Sequence, residues 1–220
     1  MIIGSLLEDK KIEKRISVTP EIAKKYTDQG FEVILPENYG YHLGIKDEVF
    51  VESGVKIHND ENQIIEKAHI IVQLGLITDE KFSKMKDKQI LIGSLNPYAN
   101  QDKINKLLKR NVDVFSLELL PRITRAQSMD ILSSQANLAG YKAVLESFAY
   151  FEKAIPMMMT AAGTVPAAKV LVVGAGVAGL QAIATAKRMG AIVFATDVRM
   201  ASKEQVESLG GKFLTVEGVE

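Results

Sequence analysis

Two stretches of this chain combine residue types and spacings that could do chemistry. The first is Gly174-Ala175-Gly176-Val177-Ala178-Gly179, which follows the apolar run Lys169–Val173 and opens a helical stretch from about Ala178 to Met189, ended by Gly190. A second apolar run, Ile192–Thr196, follows and is closed by Asp197. Strand, G-x-G-x-x-G, helix, strand and acid in that order form the setting in which a glycine loop cradles a dinucleotide pyrophosphate. Gly174 permits the tight turn, Gly176 lets the backbone come close to the phosphates, and Gly179 lets the helix pack on the strand. The helix N-terminus faces the phosphate charge. Asp197 stands at about the ~20-residue spacing at which a carboxylate accepts from both ribose hydroxyls, favouring NAD over NADP by repelling a 2′-phosphate. Arg199, two residues on, could instead accommodate that phosphate. A glycine-rich turn that serves packing alone is the plain alternative.

The second stretch runs from Leu119 to Asp130, LLPRITRAQSMD. Two arginines, a glutamine and an acid sit in a loop between an apolar run and a long helical segment. In a parallel sheet this is a carboxyl end, where ligands bind. Arg and Gln donors there could face a carboxamide or phosphate oxygens; equally, they could be solvated residues at a helix N-terminus.

These residues need a scaffold, and the pattern around them supplies one. Phe31–Leu35, Ile70–Leu74, Ile90–Leu95 and Val112–Leu117 read as buried strands, rich in Val, Ile and Phe and bounded by Gly, Asn or charge. Pro20–Gln29 reads as a helix, with Thr19 as N-cap, Pro20 at the first position and Gly30 beyond its end. Asp79–Met85 and Gln101–Lys109 have helical spacing too. Strands alternating with helices imply an α/β chain with parallel sheets. Ser133–Phe151 places Ala136, Gly140, Ala143, Val144, Ser147, Phe148 and Phe151 on one helical face, expected to be core. Ala154–Ala168, with two prolines and three methionines (Met157, Met158, Met159), reads as a connection. The expected division is residues 1–132 as a flavodoxin-like α/β domain, 133–168 as a connecting helix and linker, and 169–220 as the first half of a Rossmann domain. The fold class is thus α/β, with two Rossmann-like doubly wound sheets, the second incomplete.

Composition excludes several alternatives. The 220 residues hold 27 Lys+Arg against 27 Asp+Glu, 47% hydrophobic residues and no Cys. Disorder does not fit that apolar share. A nucleic-acid binder would show a basic excess, and the one basic cluster (Lys10, Lys11, Lys14, Arg15) is interleaved with Glu8, Asp9 and Glu13. Disulfides, thiolate metal sites and cysteine nucleophiles are absent. His42, His58 and His69 are scattered, so no metal site is expected. The uncharged stretch Val170–Ala186 is too short and too rich in glycine to span a membrane, and the N-terminus lacks the pattern of a signal peptide.

PRITRAQSMDILSSQANLAGYKAV, followed by KVLVVGAGVAGLQAIATAKRMGAIVFATDVR, resembles the NAD(H)-binding alpha subunit of proton-translocating NAD(P) transhydrogenase and, more broadly, its alanine dehydrogenase relatives. Glu13–Pro20, EKRISVTP, resembles that family's opening segment. The resemblance implies a subunit that binds NADH and passes hydride to NADP⁺ held by a partner subunit, with a membrane domain coupling the transfer to proton movement. It carries Arg122, Gln127, Asp130 and Ser133 over as the loop residues surrounding the nicotinamide, and Arg122, Ile123, Thr124, Arg125, Gln127 and Ser133 as cofactor contacts. It carries Gly174, Gly176, Val177, Ala178, Gly179, Asp197, Val198 and Arg199 over as the adenosine and pyrophosphate site. A homodimer is implied, as is a cytoplasmic location, peripheral at the inner membrane through the partner subunit. Hydride transfer between two nicotinamides needs stacking and water exclusion rather than an acid or base.

The departures separate the relatives. Where alanine dehydrogenases carry a substrate-binding Lys and a catalytic His, this chain matches Gln73 and Asn96; Arg15 alone of that set remains. An amino-acid dehydrogenase without those groups lacks its proton-transfer machinery. The stretch from Val170 to Glu220 suffices only for strand, helix, strand, a helix near Ser202–Leu209 and a strand near Lys212–Val216, so a chain cut short is expected. A non-catalytic nucleotide-binding fragment is the third possibility.

Overall fold

A parallel strand buried on both faces needs apolar side chains of both parities, and Val33, Ile34 and Leu35 supply them. Val33 and Leu35 point into one core with Val18, Ala23, Tyr39 and Phe50, while Ile34 enters the other with Leu6, Ile64, Ile71 and Leu91. The computed structural model describes residues 1–215 and divides into two units, Met1–Met129 and Asp130–Glu220.

In the first unit β1 (Ile2–Gly4), α1 (Pro20–Asp28), β2 (Glu32–Pro36), α2 (Asp47–Glu52), β3 (Val55–His58), α3 (Glu61–Lys67), β4 (Ile70–Gln73), α4 (Asp79–Ser83), β5 (Ile90–Gly93), α5 (Gln101–Lys109) and β6 (Asp113–Ser116) alternate. All pairs are parallel, in the order β3-β2-β1-β4-β5-β6. That is the Rossmann order, with its reversal between β1 and β4, and it differs from the 2-1-3-4-5 order of a flavodoxin-like sheet. The Thr19 hydroxyl accepts from Ile22 N at 3.3 Å and caps α1 at Pro20, as its sequence predicts. β6, expected to be buried, is an edge strand: Phe115 is 56% exposed, because only β5 flanks it. β1 gave no strand signal in the sequence because it is three residues long, yet it sits at the centre of the sheet.

The second unit begins with α6 (Ile131–Tyr150). An antiparallel hairpin follows, β7 (Met158–Thr160) and β8 (Gly163–Val165), where the sequence predicts only a connection. Then come β9 (Lys169–Val173), α7 (Val177–Arg188), β10 (Ile192–Thr196), α8 (Ser202–Ser208) and β11 (Lys212–Phe213). These three strands are parallel in the order β11-β10-β9. Val216, the expected end of the last strand, lies outside the described residues. On α6 the predicted apolar face is only partly core: Gly140 and Val144 are buried, whereas Ala143 and Ser147 are exposed. α6 and α7 cross so closely that a Cβ at Gly140 would overlap the Ala178 carbonyl. Val144, Ile183, Ala186, Val193 and Val206 form this unit's core.

Among the described residues no helix is long and apolar enough to cross a membrane.

Candidate functional site

In the second unit β9 ends at Val173 and the chain turns at Gly174, whose φ of +93° only glycine adopts without strain. Gly174 N still donates to Thr196 O at 2.8 Å, so the turn starts from a strand end paired with β10. A Cβ at Gly179 would overlap the Gly174 carbonyl, which is how the glycine spacing lets α7 rise directly from the turn. Gly176 stands at the N-cap of α7, and a Cβ there would meet nothing within 4 Å. The backbone N–H groups of the first turn, at Val177, Ala178 and Gly179, have no partner within the helix and carry the positive end of its dipole.

Asp197, at the end of β10, is brought to this turn. Its side chain is 6% exposed; Oδ2 accepts from Ala175 N at 2.7 Å and Oδ1 from Arg199 N at 2.8 Å. The Arg199 guanidinium grips the same carboxylate, Nε to Oδ1 at 3.0 Å and Nη2 to Oδ2 at 3.1 Å. That guanidinium, with the two backbone N–H groups, holds the Asp197 carboxyl well below the usual carboxylate range. Beside it lies a crevice of about 310 Å³, lined by Val173, Gly174, Thr196, Asp197, Val198, Met200, Phe213 and Thr215. The structure thus gathers Gly174, Gly176, Val177, Ala178, Gly179, Asp197, Val198 and Arg199 at the carboxyl ends of β9 and β10.

The arginine loop belongs to the first unit. Thr124–Met129 winds into 3₁₀ turns, anchored by the buried Ala126, and Arg122, Ile123, Thr124, Arg125 and Gln127 are all exposed. In the second unit Asp130 caps α6, accepting from Ser133 N at 2.9 Å and from Ser133 Oγ at 2.7 Å. Sequence reasoning missed what roots the loop. The Glu118 carboxylate accepts from Ser94 Oγ at 2.9 Å, Leu95 N at 3.2 Å, Asn96 N at 2.8 Å and Ser116 Oγ at 2.5 Å. Burial pushes this carboxyl up, but those hydrogen bonds outweigh it and hold it below its ordinary value. The residues preceding the loop are thereby tied to the end of β5. The one sequence signal was an acid flanked by strand ends.

Gln73 and Asn96 have other work in this structure. Gln73 is 2% exposed, and its amide pairs with Leu6 in both directions: Leu6 N donates to Oε1 at 3.0 Å and Nε2 to Leu6 O at 3.3 Å. Glu8 Oε1 accepts from Leu74 N at 2.7 Å. The reversal point between β1 and β4, where an open α/β sheet usually takes its ligand, is bridged by the chain itself. Asn96 holds a left-handed φ of +45° beside Glu118. Arg15 is paired with Glu13, at 2.8 and 2.6 Å. Each histidine has a local partner: His42 contacts Lys14 O, His58 contacts Gln63 Oε1, and His69 accepts from Ile2 N. Among the described residues no three acidic or histidine side chains could hold a metal ion.

Set beside known proteins, residues 4–139 match the family described as alanine dehydrogenase/PNT, N-terminal domain, and residues 143–220 match alanine dehydrogenase/PNT, C-terminal domain. The chain is 50% identical over 210 residues to an NAD(P) transhydrogenase subunit alpha protein of Rhodospirillum rubrum, covering 93% of this chain and 55% of that protein. It superimposes on the crystal structure of transhydrogenase from Sinorhizobium meliloti with a TM-score of 0.93 at 44% identity, over 98% of this chain and 64% of that one. A solved L-alanine dehydrogenase matches with a TM-score of 0.86 at 20% identity, over 99% of this chain and 61% of that one, which is a likeness of fold. The chain therefore spans a little over half the length of the curated relative it matches.

Proposed function

The chain belongs to the alanine dehydrogenase/PNT family, and from that premise we propose that it is the NAD(H)-binding part of an NAD(P) transhydrogenase alpha subunit. The observation that carries the proposal is the glycine turn: an open approach at Gly176, the unpaired N–H groups of α7 and the Asp197 crevice meet at one strand end. A dinucleotide fits this donor set. Val177, Ala178 and Gly179 N–H would hold the pyrophosphate and Asp197 the adenosine ribose, with Val198 and Arg199 beside it. NADH, when bound, supplies the hydride. Arg122, Ile123, Thr124, Arg125 and Gln127 of the exposed loop, with Ser133 and its partner Asp130, orient the nicotinamide and exclude water. Hydride transfer between two nicotinamides needs no side chain of this chain to act as acid or base; positioning supplies the rate.

The acceptor in this reading is NADP⁺ on a partner subunit, and proton translocation belongs to that partner's membrane domain. The chain works at the cytoplasmic side of the inner membrane, held there through the partner. It pairs with a second copy of itself, and the exposed apolar side chains at the β7–β8 hairpin, Met157, Met158 and Met159, support that pairing. Residues 169–220 serve as the adenosine half of the nucleotide domain. The rival amino-acid dehydrogenase reading has against it the occupied state of Gln73 and the absence of a histidine at Asn96.

Calorimetric titration with NADH tests the proposal: micromolar binding is expected, with no NADH formed from alanine and NAD⁺. Hydride transfer is expected only after mixing with an NADP-binding partner. Alanine-dependent NADH formation would overturn the reading.

A further inference from the structure

A carboxylate offers about four lone-pair positions on its two oxygens. At Asp197 all four are taken: Oδ1 by Arg199 N and Nε, Oδ2 by Ala175 N and Arg199 Nη2. A ribose diol brings two further donors, so two of those present must leave. The two backbone donors are fixed, Ala175 N by the glycine turn and Arg199 N by the turn that follows β10. The guanidinium sits on a side chain that is 63% exposed, while the carboxylate it grips is 6% exposed. Only the fork of Nε and Nη2 can withdraw without breaking backbone geometry. That fork presents two N–H donors side by side to the two oxygens, as a vicinal diol would present two O–H donors.

We propose that the Arg199 guanidinium is a place-holder for the ribose diol of the bound nucleotide, and that once displaced it sets nucleotide selectivity. In the free protein the fork neutralises Asp197 and competes with the ribose. On binding, two hydroxyl donors replace two N–H donors, and the released cation stays tethered beside the 2′ position. A 2′-phosphate entering there meets a carboxylate and a guanidinium together, so the site rejects NADP(H) less strongly than Asp197 alone would. Arg199 thus costs the site some affinity for NADH and some discrimination against NADPH. The inference rests on reading the glycine turn as a dinucleotide site, and it goes further in giving Arg199 a role opposed to simple cofactor contact.

The test is calorimetric titration of the full chain, as wild type, Arg199→Ala and Arg199→Lys, with NADH and separately with NADPH. An exposed ion pair competes weakly, so Arg199→Ala is expected to bind NADH roughly 2–5-fold more tightly. Its NADPH:NADH ratio of Kd values is expected to rise about tenfold, as the charge offsetting Asp197 is lost. Lys cannot present the fork, although it keeps the cation. Arg199→Lys should therefore tighten NADH binding while leaving the ratio near that of wild type. NADH binding that is unchanged or weaker in Arg199→Ala overturns the place-holder role, and an unchanged ratio overturns the selectivity role. Failure of all three proteins to bind NADH overturns the dinucleotide reading and this inference with it.

Discussion

The two units hold the same three-strand motif and treat its first turn in opposite ways. In the first unit β1 is followed by Ser5, Leu6 and Leu7, of which Ser5 and Leu6 are fully buried. The Ser5 hydroxyl lies 2.7 Å from the Tyr39 hydroxyl, and Gln73 and Leu6 pair across the reversal point. In the second unit β9 is followed by Gly174, Ala175 and Gly176, and the space before Gly176 is open. The strands of both follow the order 3-2-1, and in the first unit the sheet continues through β4, β5 and β6. Topology supplies a crevice at each carboxyl end. At the β1–β4 reversal the chain's own groups pair across the crevice, whereas after β9 the approach to the glycine turn is open.

The contrast can be broken by substitution. The largest effect is expected at Gly176→Val. No neighbour lies near its Cβ position and its φ of −77° suits any residue, so the fold should survive while a branched side chain blocks the phosphate approach. NADH affinity should fall by about 100-fold, roughly 2.7 kcal/mol, with the thermal midpoint little changed. Gln73→Leu should do the reverse. It strands Leu6 N and O in a buried place, costing about 2 kcal/mol of stability by urea unfolding, and leaves NADH binding intact. The same change in unfolding free energy is expected of Val33→Ala, sealed inside β2.

Glu118→Ala should cost about 1.5 kcal/mol, because four donors to a charged acceptor lose it together. Its folded carboxyl titrates below the ordinary value of 4.5. The stabilisation is therefore complete above that value and is lost as pH falls through the lower, folded value. The gap between wild type and Glu118→Ala in unfolding free energy should be constant near neutrality and should close in acid. A gap that persists unchanged in acid would assign the effect to packing rather than charge. Val173→Ala should be the smallest change, within about 0.5 kcal/mol, since Val173 is 78% exposed on the edge strand β9.

The parts legible in the sequence were those in which local chemistry and fold agree. Thr19 and Pro20 mark the start of α1, and two glycines fix the β9–α7 turn, Gly174 by its backbone angle and Gly179 by its contact with the Gly174 carbonyl. β1 was not legible, since three residues carry no period and its central place comes from long-range pairing with β2 and β4. Nor was the exposure of Phe115, because an edge strand made of apolar residues reads like a central one. Glu118 was hidden for a related reason: its donors come from Ser94, Leu95 and Asn96, more than twenty positions away. At Asp197 the sequence showed the carboxylate and the arginine but not their mutual occupation.

The most direct test that the glycine turn of the second unit holds the nucleotide is calorimetric titration with NADH of three proteins: wild type, Asp197→Ala and Gln73→Leu. Micromolar binding to wild type and to Gln73→Leu, with at least a tenfold loss in Asp197→Ala, is the expected result. Binding that survives Asp197→Ala and disappears with Gln73→Leu would place the site in the first unit and contradict it.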